Sequence, residues 1–161
     1  MPTLPQAAAL VLAMGAGAVA FDTMSTDIPD LDVPDGPWQA GGALDGRVFH
    51  TTDTIRETGE VLQDALHFED GRFQSAKCQL YCDFGWTRYE TWQEGGVIRF
   101  TVTTTCPDAP HRVVWLGTVE GDALRFEATW TTRRWYWTRQ INATGAGAGA
   151  MTPRPDTARA G

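Results

Sequence analysis

The chain has 161 residues, enough for one domain with a full core and too few for two. Its hydrophobic content of 42%, with seven Trp and seven Phe, is that of a sequence that folds. The formal charge is 13 − 20 = −7 with no run of Lys or Arg, which argues against nucleic acid and anionic membrane surfaces, since both call for a basic footprint.

Residues 7–20 are uncharged and apolar and end in Ala18-Val19-Ala20, the small-x-small pattern of a secretory cleavage site. At about 14 residues the run is short for a membrane span. Residues 1–20 therefore read as a signal peptide, with the α-amino group as its only positive charge, and the expected location is periplasmic or secreted. No cysteine lies near the cleavage site to carry a lipid. Residues 21–42, containing DIPDLDVPDGPW, read as an acidic, extended lead-in rich in Pro and Gly. Residues 143–161, ATGAGAGAMTPRPDTARAG, read as a low-complexity, disordered tail. The folded domain expected is 43–142.

Inside it the pattern predicts eight strands and no helix of useful length. The strands are 47–55, 65–69, 72–77, 86–92, 97–106, 111–119, 123–131 and 133–140. Ile98, Phe100 and Val102 alternate with Arg99, Thr101 and Thr103, and Leu124, Phe126, Ala128 and Trp130 alternate with Arg125, Glu127 and Thr129. One-faced burial of this kind belongs to antiparallel sheet. Asp70-Gly71, Gly95-Gly96 and Gly121-Asp122 mark tight reversals. The fold class expected is all-β: an eight-stranded antiparallel up-and-down meander closed into a barrel, with an open sandwich as the alternative.

A meander sorts its own links. The three tight turns fall at one end, a closed base. The longer links 56–64, 78–85 and 107–110 fall at the other, an open mouth where function is expected. Cys78, Cys82 and Cys106, together with His111, converge at the mouth. In an exported protein a disulfide is the default. Cys78 and Cys82 would close a strained small loop, so the bridge expected runs from Cys82 or Cys78 to Cys106. A Cys₃His metal site is the competing reading, but C-x₃-C…C-x₄-H matches no common zinc spacing.

The sequence carries no catalytic signature: no G-x-S-x-G, no H-E-x-x-H, no phosphate loop and no calcium loop. No cofactor or metal is expected. His50, His67 and His111 are scattered. Glu90 and Glu127 read as outward, and Asp53 has no evident inward carboxylate to pair with, so glycoside chemistry is not supported. Ten rings fit an inward register: Phe49, Phe68, Phe73, Tyr89, Phe100, Trp115, Phe126, Trp130, Trp135 and Trp137. They either fill the barrel or line a pocket, with Thr51, Ser75, Thr87, Thr104 and Arg139 as polar anchors. An inward Arg139 needs a partner, which could be a ring, Asp53 or a ligand carboxylate. The run RRWYW, 133–137, lies on the mouth side. The candidate ligand-binding residues are Tyr89, Trp115, Trp130, Trp135, Trp137 and Arg139.

Eight meandering strands, Gly36-Pro37-Trp38 ahead of the first and Arg139 on the last together resemble lipocalin-like (calycin-like) barrels. Lipocalins carry G-x-W at the first strand and an Arg near the last that packs on that Trp. The runs FEDGRFQSAKC and WLGTVEGDAL also resemble those of small exported bacterial barrel proteins of unassigned activity, in which Gly tends to stand at the place of Cys82 and Ser at that of Cys106. The resemblance implies a Cys82–Cys106 bridge with Cys78 as the free thiol.

The function expected is a monomeric, non-catalytic barrel that binds a small apolar or aromatic molecule at its mouth. The alternatives are a filled barrel with a structural or interaction role in the cell envelope, and a small enzyme using Cys78 or His111.

Overall fold

The computed structural model describes residues 31–149. The expected signal peptide, residues 21–30 of the lead-in and residues 150–161 of the tail lie outside the described residues. Ten strands and one short helix follow in the order β1 (Gln39–Ala40), β2 (Arg47–Ile55), β3 (Val61–Glu69), β4 (Arg72–Ser75), α1 (Ala76–Cys82), β5 (Thr87–Arg88), β6 (Glu90–Glu94), β7 (Val97–Thr105), β8 (His111–Glu120), β9 (Ala123–Arg134) and β10 (Trp137–Ala148). Every pairing is antiparallel, in one sheet of order β1-β6-β7-β8-β9-β10-β2-β3-β4-β5.

The two ends of that order meet. β5 and β6 are one run interrupted at Tyr89; β5 pairs with β4 through Thr87 and Phe73, while β6 pairs with β7 through Glu90 and Thr101. The result is a nearly closed up-and-down barrel. Ten strands replace the expected eight because the predicted strand 86–92 splits at Tyr89 and because the lead-in adds β1 along β6.

Three other expectations are corrected. The predicted strand 72–77 stops at Ser75, whose side chain accepts from Cys78 N at 3.1 Å and so caps α1. Asp83, in the left-handed region at φ 49°, ends the helix with its N–H on Gln79 O. The last hairpin reverses at Trp135-Tyr136 rather than at 132, so β9 runs on to Arg134. Most unexpectedly, β10 takes in residues 143–148 of the supposed tail, each paired to β9 and β2.

The glycines of that tail explain why. Gly145 lies between Phe126 of β9 and Asp53 of β2, and a Cβ there would collide with both side chains. Gly117 stands in the same way under the ring of Phe100. The row Phe100–Gly117–Phe126–Gly145–Asp53 thus alternates large and absent side chains across five neighbouring strands, which lets bulky rings share a narrow lumen.

Contacting rings pack the lumen. Phe68 has ring centroids 5.9 Å from Phe49, 5.2 Å from Phe73, 5.0 Å from Tyr89 and 5.2 Å from Phe100, and Trp115 sits tilted between Phe73 and Phe126 at 5.2 and 5.1 Å. At the base, the buried guanidinium of Arg47 lies 4.6 Å from the Phe49 centroid and donates to Gly121 O and Gly149 O. The tight turn at Asp70-Gly71, with φ of 48° and 70°, shares this end with Gly95-Gly96 and Gly121-Asp122. Trp38 packs edge-on against Trp92 at 5.8 Å, on the β6–β7 hairpin. It does not lie under Arg139, so the Trp–Arg contact implied by the lipocalin resemblance is not made.

Candidate functional site

The mouth is covered and tied. Cys82, at the end of α1, forms a disulfide with Cys106, just past β7, with Cα atoms 5.6 Å apart. This is the bridge the resemblance implied, and it leaves Cys78 free and buried. Two of the four ligands of the alternative metal reading are thereby consumed. Among the described residues no group of three His, Cys, Asp or Glu is arranged to hold a metal.

The inner side of α1 is anchored by Asp64. Its carboxylate accepts from Ser75 Oγ at 2.5 Å, from Lys77 N at 2.9 Å and from Ala65 N at 2.7 Å. Asp64 is buried, diagonal to Asp53 on the lumen face, so Asp53 does have an inward carboxylate beside it, contrary to expectation. Sequence reading missed this because it placed 56–64 in a loop. Burial pushes the Asp53 carboxyl up to about 6; a weak polar contact with Thr51 offsets the rise and the charge of Asp64 adds to it. Asp53 Oδ1 and Thr51 Oγ1 are buried without a hydrogen-bond partner among the described residues. Burial likewise pushes the Cys78 thiol up to about 12, Ser75 opposing this and the charges of Asp64 and Asp53 reinforcing it.

The outer side of α1 carries rings. Tyr81 meets Trp130 edge-on at 4.9 Å and His111 at 5.8 Å, and Phe84 meets Trp130 at 5.2 Å. Thr132 Oγ1 accepts from Trp130 Nε1 at 3.3 Å and sits 2.9 Å from His111 Nδ1. His111 is held below its ordinary pKa, first by burial and then by the positive Arg134. The Arg134 guanidinium lies 6.0 Å from the Trp137 ring, and Trp137, Tyr136 and Trp135 follow one another in edge contact. A continuous rim therefore runs from Leu80 and Tyr81 through His111 and Arg134 to the tip of the β9–β10 hairpin. Much of its apolar surface faces solvent: Trp135 is 91% exposed and Leu80 84%.

Of the six candidate ligand residues, this rim gathers four: Trp130, Trp135, Trp137 and Arg139. Trp137 and Arg139 keep the lumen-side register expected of them, opposite Arg134 and Thr132. The hairpin, however, outruns the barrel wall, so Arg139 is exposed and makes no ion pair among the described residues. Trp135 leaves the register in the turn. Tyr89 and Trp115 are buried elsewhere. The Tyr89 hydroxyl accepts from Gly42 N and Leu44 N and donates to Asp45 at 2.8 Å, fixing the loop before β2. Trp115 Nε1 donates to Thr104 at 3.3 Å. Leu80 and Tyr81 were missed; the signal available was Ser75 three residues ahead of Cys78, a capping position that starts a helix through 76–82.

A separate groove of about 630 Å³ lies on the outer face of the sheet, bordered by Thr52, Arg99, Leu116, Arg125 and Glu127. It is remote from the mouth rim in register. No protein-family model matches the chain, and no curated protein or solved structure matches it either. The disulfide is compatible with an oxidising compartment. Among the described residues no helix is long and apolar enough to cross a membrane.

Proposed function

We propose that this chain is an exported, non-catalytic barrel that engages an apolar or aromatic ligand with the ring-bearing rim of its mouth rather than inside its lumen. One observation carries the reading: the lumen is packed with mutually contacting rings, while Trp135, Tyr136, Leu80 and Tyr81 stand in solvent at a single end. Large exposed rings cost solvation and are retained where something covers them. Their neighbours Arg134 and Arg139 add charge and hydrogen-bond donors suited to orienting a planar ligand.

The alternative of a filled barrel acting as an interaction protein of the envelope draws on the same packed lumen and uses the same rim. Catalysis by Cys78 gains no support, because a thiol held near pKa 12 is not a nucleophile at neutral pH. The test is a fluorescence titration with the aromatic probe 1-anilinonaphthalene-8-sulfonate. Saturable binding to the wild-type chain, weakened about tenfold or more in the Trp135→Ala/Tyr136→Ala variant, is the expected result. No saturable binding, or equal binding by both proteins, would remove the proposal.

A further inference from the structure

We infer that the mouth rim docks on an anionic lipid headgroup surface, an inference that rests on the proposed reading of the rim as the binding face. The shape is the first argument. Trp135 and Tyr136 form the tip of a hairpin that extends beyond the barrel wall, and Leu80 and Tyr81 project from α1 at the same end. A projecting set of exposed rings offers a surface to another surface. Trp and Tyr are the side chains whose apolar body and polar edge suit the headgroup level of a bilayer, and Leu80 adds an aliphatic contact below it.

Charge is the second argument. Residues 133–139 contain Arg133, Arg134 and Arg139 interleaved with three aromatic residues, and no Asp or Glu occurs between Glu127 and Asp156. The acidity that counts against an anionic partner resides elsewhere: residues 21–42 hold five Asp and no Lys or Arg, and without 1–42 the chain nets 13 − 15 = −2. At the mouth the exposed acidic groups are Asp83, engaged by Gln79, Asp108 on the β7–β8 link, and Glu57 and Glu60 on the β2–β3 link, Glu57 being engaged by Asn142; Asp53 and Asp64 are buried below them. None of them belongs to residues 133–139, and Glu57 is held by Asn142 further along β10. Arg134 and Arg139 are exposed beside Trp137, so their guanidinium groups can pair bidentately with lipid phosphates while the rings enter the interface.

The test is co-sedimentation of the full chain with two sets of vesicles, phosphatidylcholine alone and phosphatidylcholine mixed with phosphatidylglycerol. Three proteins are compared: wild type, Trp135→Ser/Tyr136→Ser and Arg134→Gln/Arg139→Gln. All altered residues are exposed, and near-ultraviolet circular dichroism confirms their folding. Expected is binding to the mixed vesicles, reduced by raised salt, weakened about tenfold by either double substitution and weak on phosphatidylcholine alone. Binding that survives both substitutions would place the lipid contact elsewhere in the chain and overturn the inference. So would no binding at all. If the naphthalene probe binds at the rim while vesicles do not, the lipid inference alone falls and the rim reading stands. If neither binds, both fall.

Discussion

Cys82 closes α1 and Cys106 follows β7, so their bond holds a helix across the mouth of a barrel whose strands would otherwise leave it open. Twenty-four residues separate the two, and a loop of that length constrains the unfolded chain by about 3 kcal/mol. Replacing both by serine should lower the urea-unfolding free energy by roughly that amount. Hydrogen exchange should rise first in α1, whose remaining anchors are Ser75, Asp64 and the Tyr81 ring. Unchanged exchange in α1 would mean that these contacts secure it without the bridge.

Gly145→Ala should destabilise the barrel by about 2–4 kcal/mol, because an added methyl has no room between Phe126 and Asp53. The neighbouring Ala146→Ser, on the exposed face, should stay within about 0.5 kcal/mol of wild type. Chemical denaturation of the pair checks both, and equal stability would deny that the glycine face is packed.

These two sites show what could be read from the residues. Strict alternation in β7 and β9 announced sheet, and the Gly-containing reversals announced the base. Sorting the meander's links by end is enough to bring Cys82, Cys106 and His111 together. GAGAGA failed as a strand signal because its inward face buries no side chain of its own; it makes room for Phe126, and that demand belongs to a neighbouring strand. The turn at Trp135-Tyr136 lacks Gly, Pro, Asn or Asp, so the reversal was set too early and the hairpin's reach beyond the wall was invisible. Asp64 was hidden for a simpler reason: its strand begins at Val61, in a stretch with little alternation, and only pairing with β2 turns the carboxylate inward.

Asp53 makes stability depend on pH. Its folded pKa, about 6, lies above its value of about 4 in an unfolded chain, so the native state holds the proton more tightly. The contribution favours folding in full below about pH 4 and is lost as pH rises through 6. Asp53→Asn should therefore raise stability at pH 7, on the order of 2 kcal/mol, and flatten the profile between pH 4 and 6. Thermal unfolding across that range decides it; a variant that is less stable at pH 7 would mean the ionised carboxylate has a partner.

Cys78 should resist modification. Buried, and with its pKa pushed up to about 12, the thiol should react with iodoacetamide at pH 7 only after unfolding, giving one alkylated site per non-reduced chain. Rapid labelling of the folded protein would return the small-enzyme reading to consideration.

The most direct test of the central claim, that the rim and not the lumen is the binding face, is a backbone amide NMR titration with 1-anilinonaphthalene-8-sulfonate. The account expects shifts confined to Leu80, Tyr81, His111 and residues 134–139, with the amides of Phe49, Phe68, Phe100 and Trp115 unmoved. Shifts concentrated at those four core positions would contradict it and place the ligand inside the barrel.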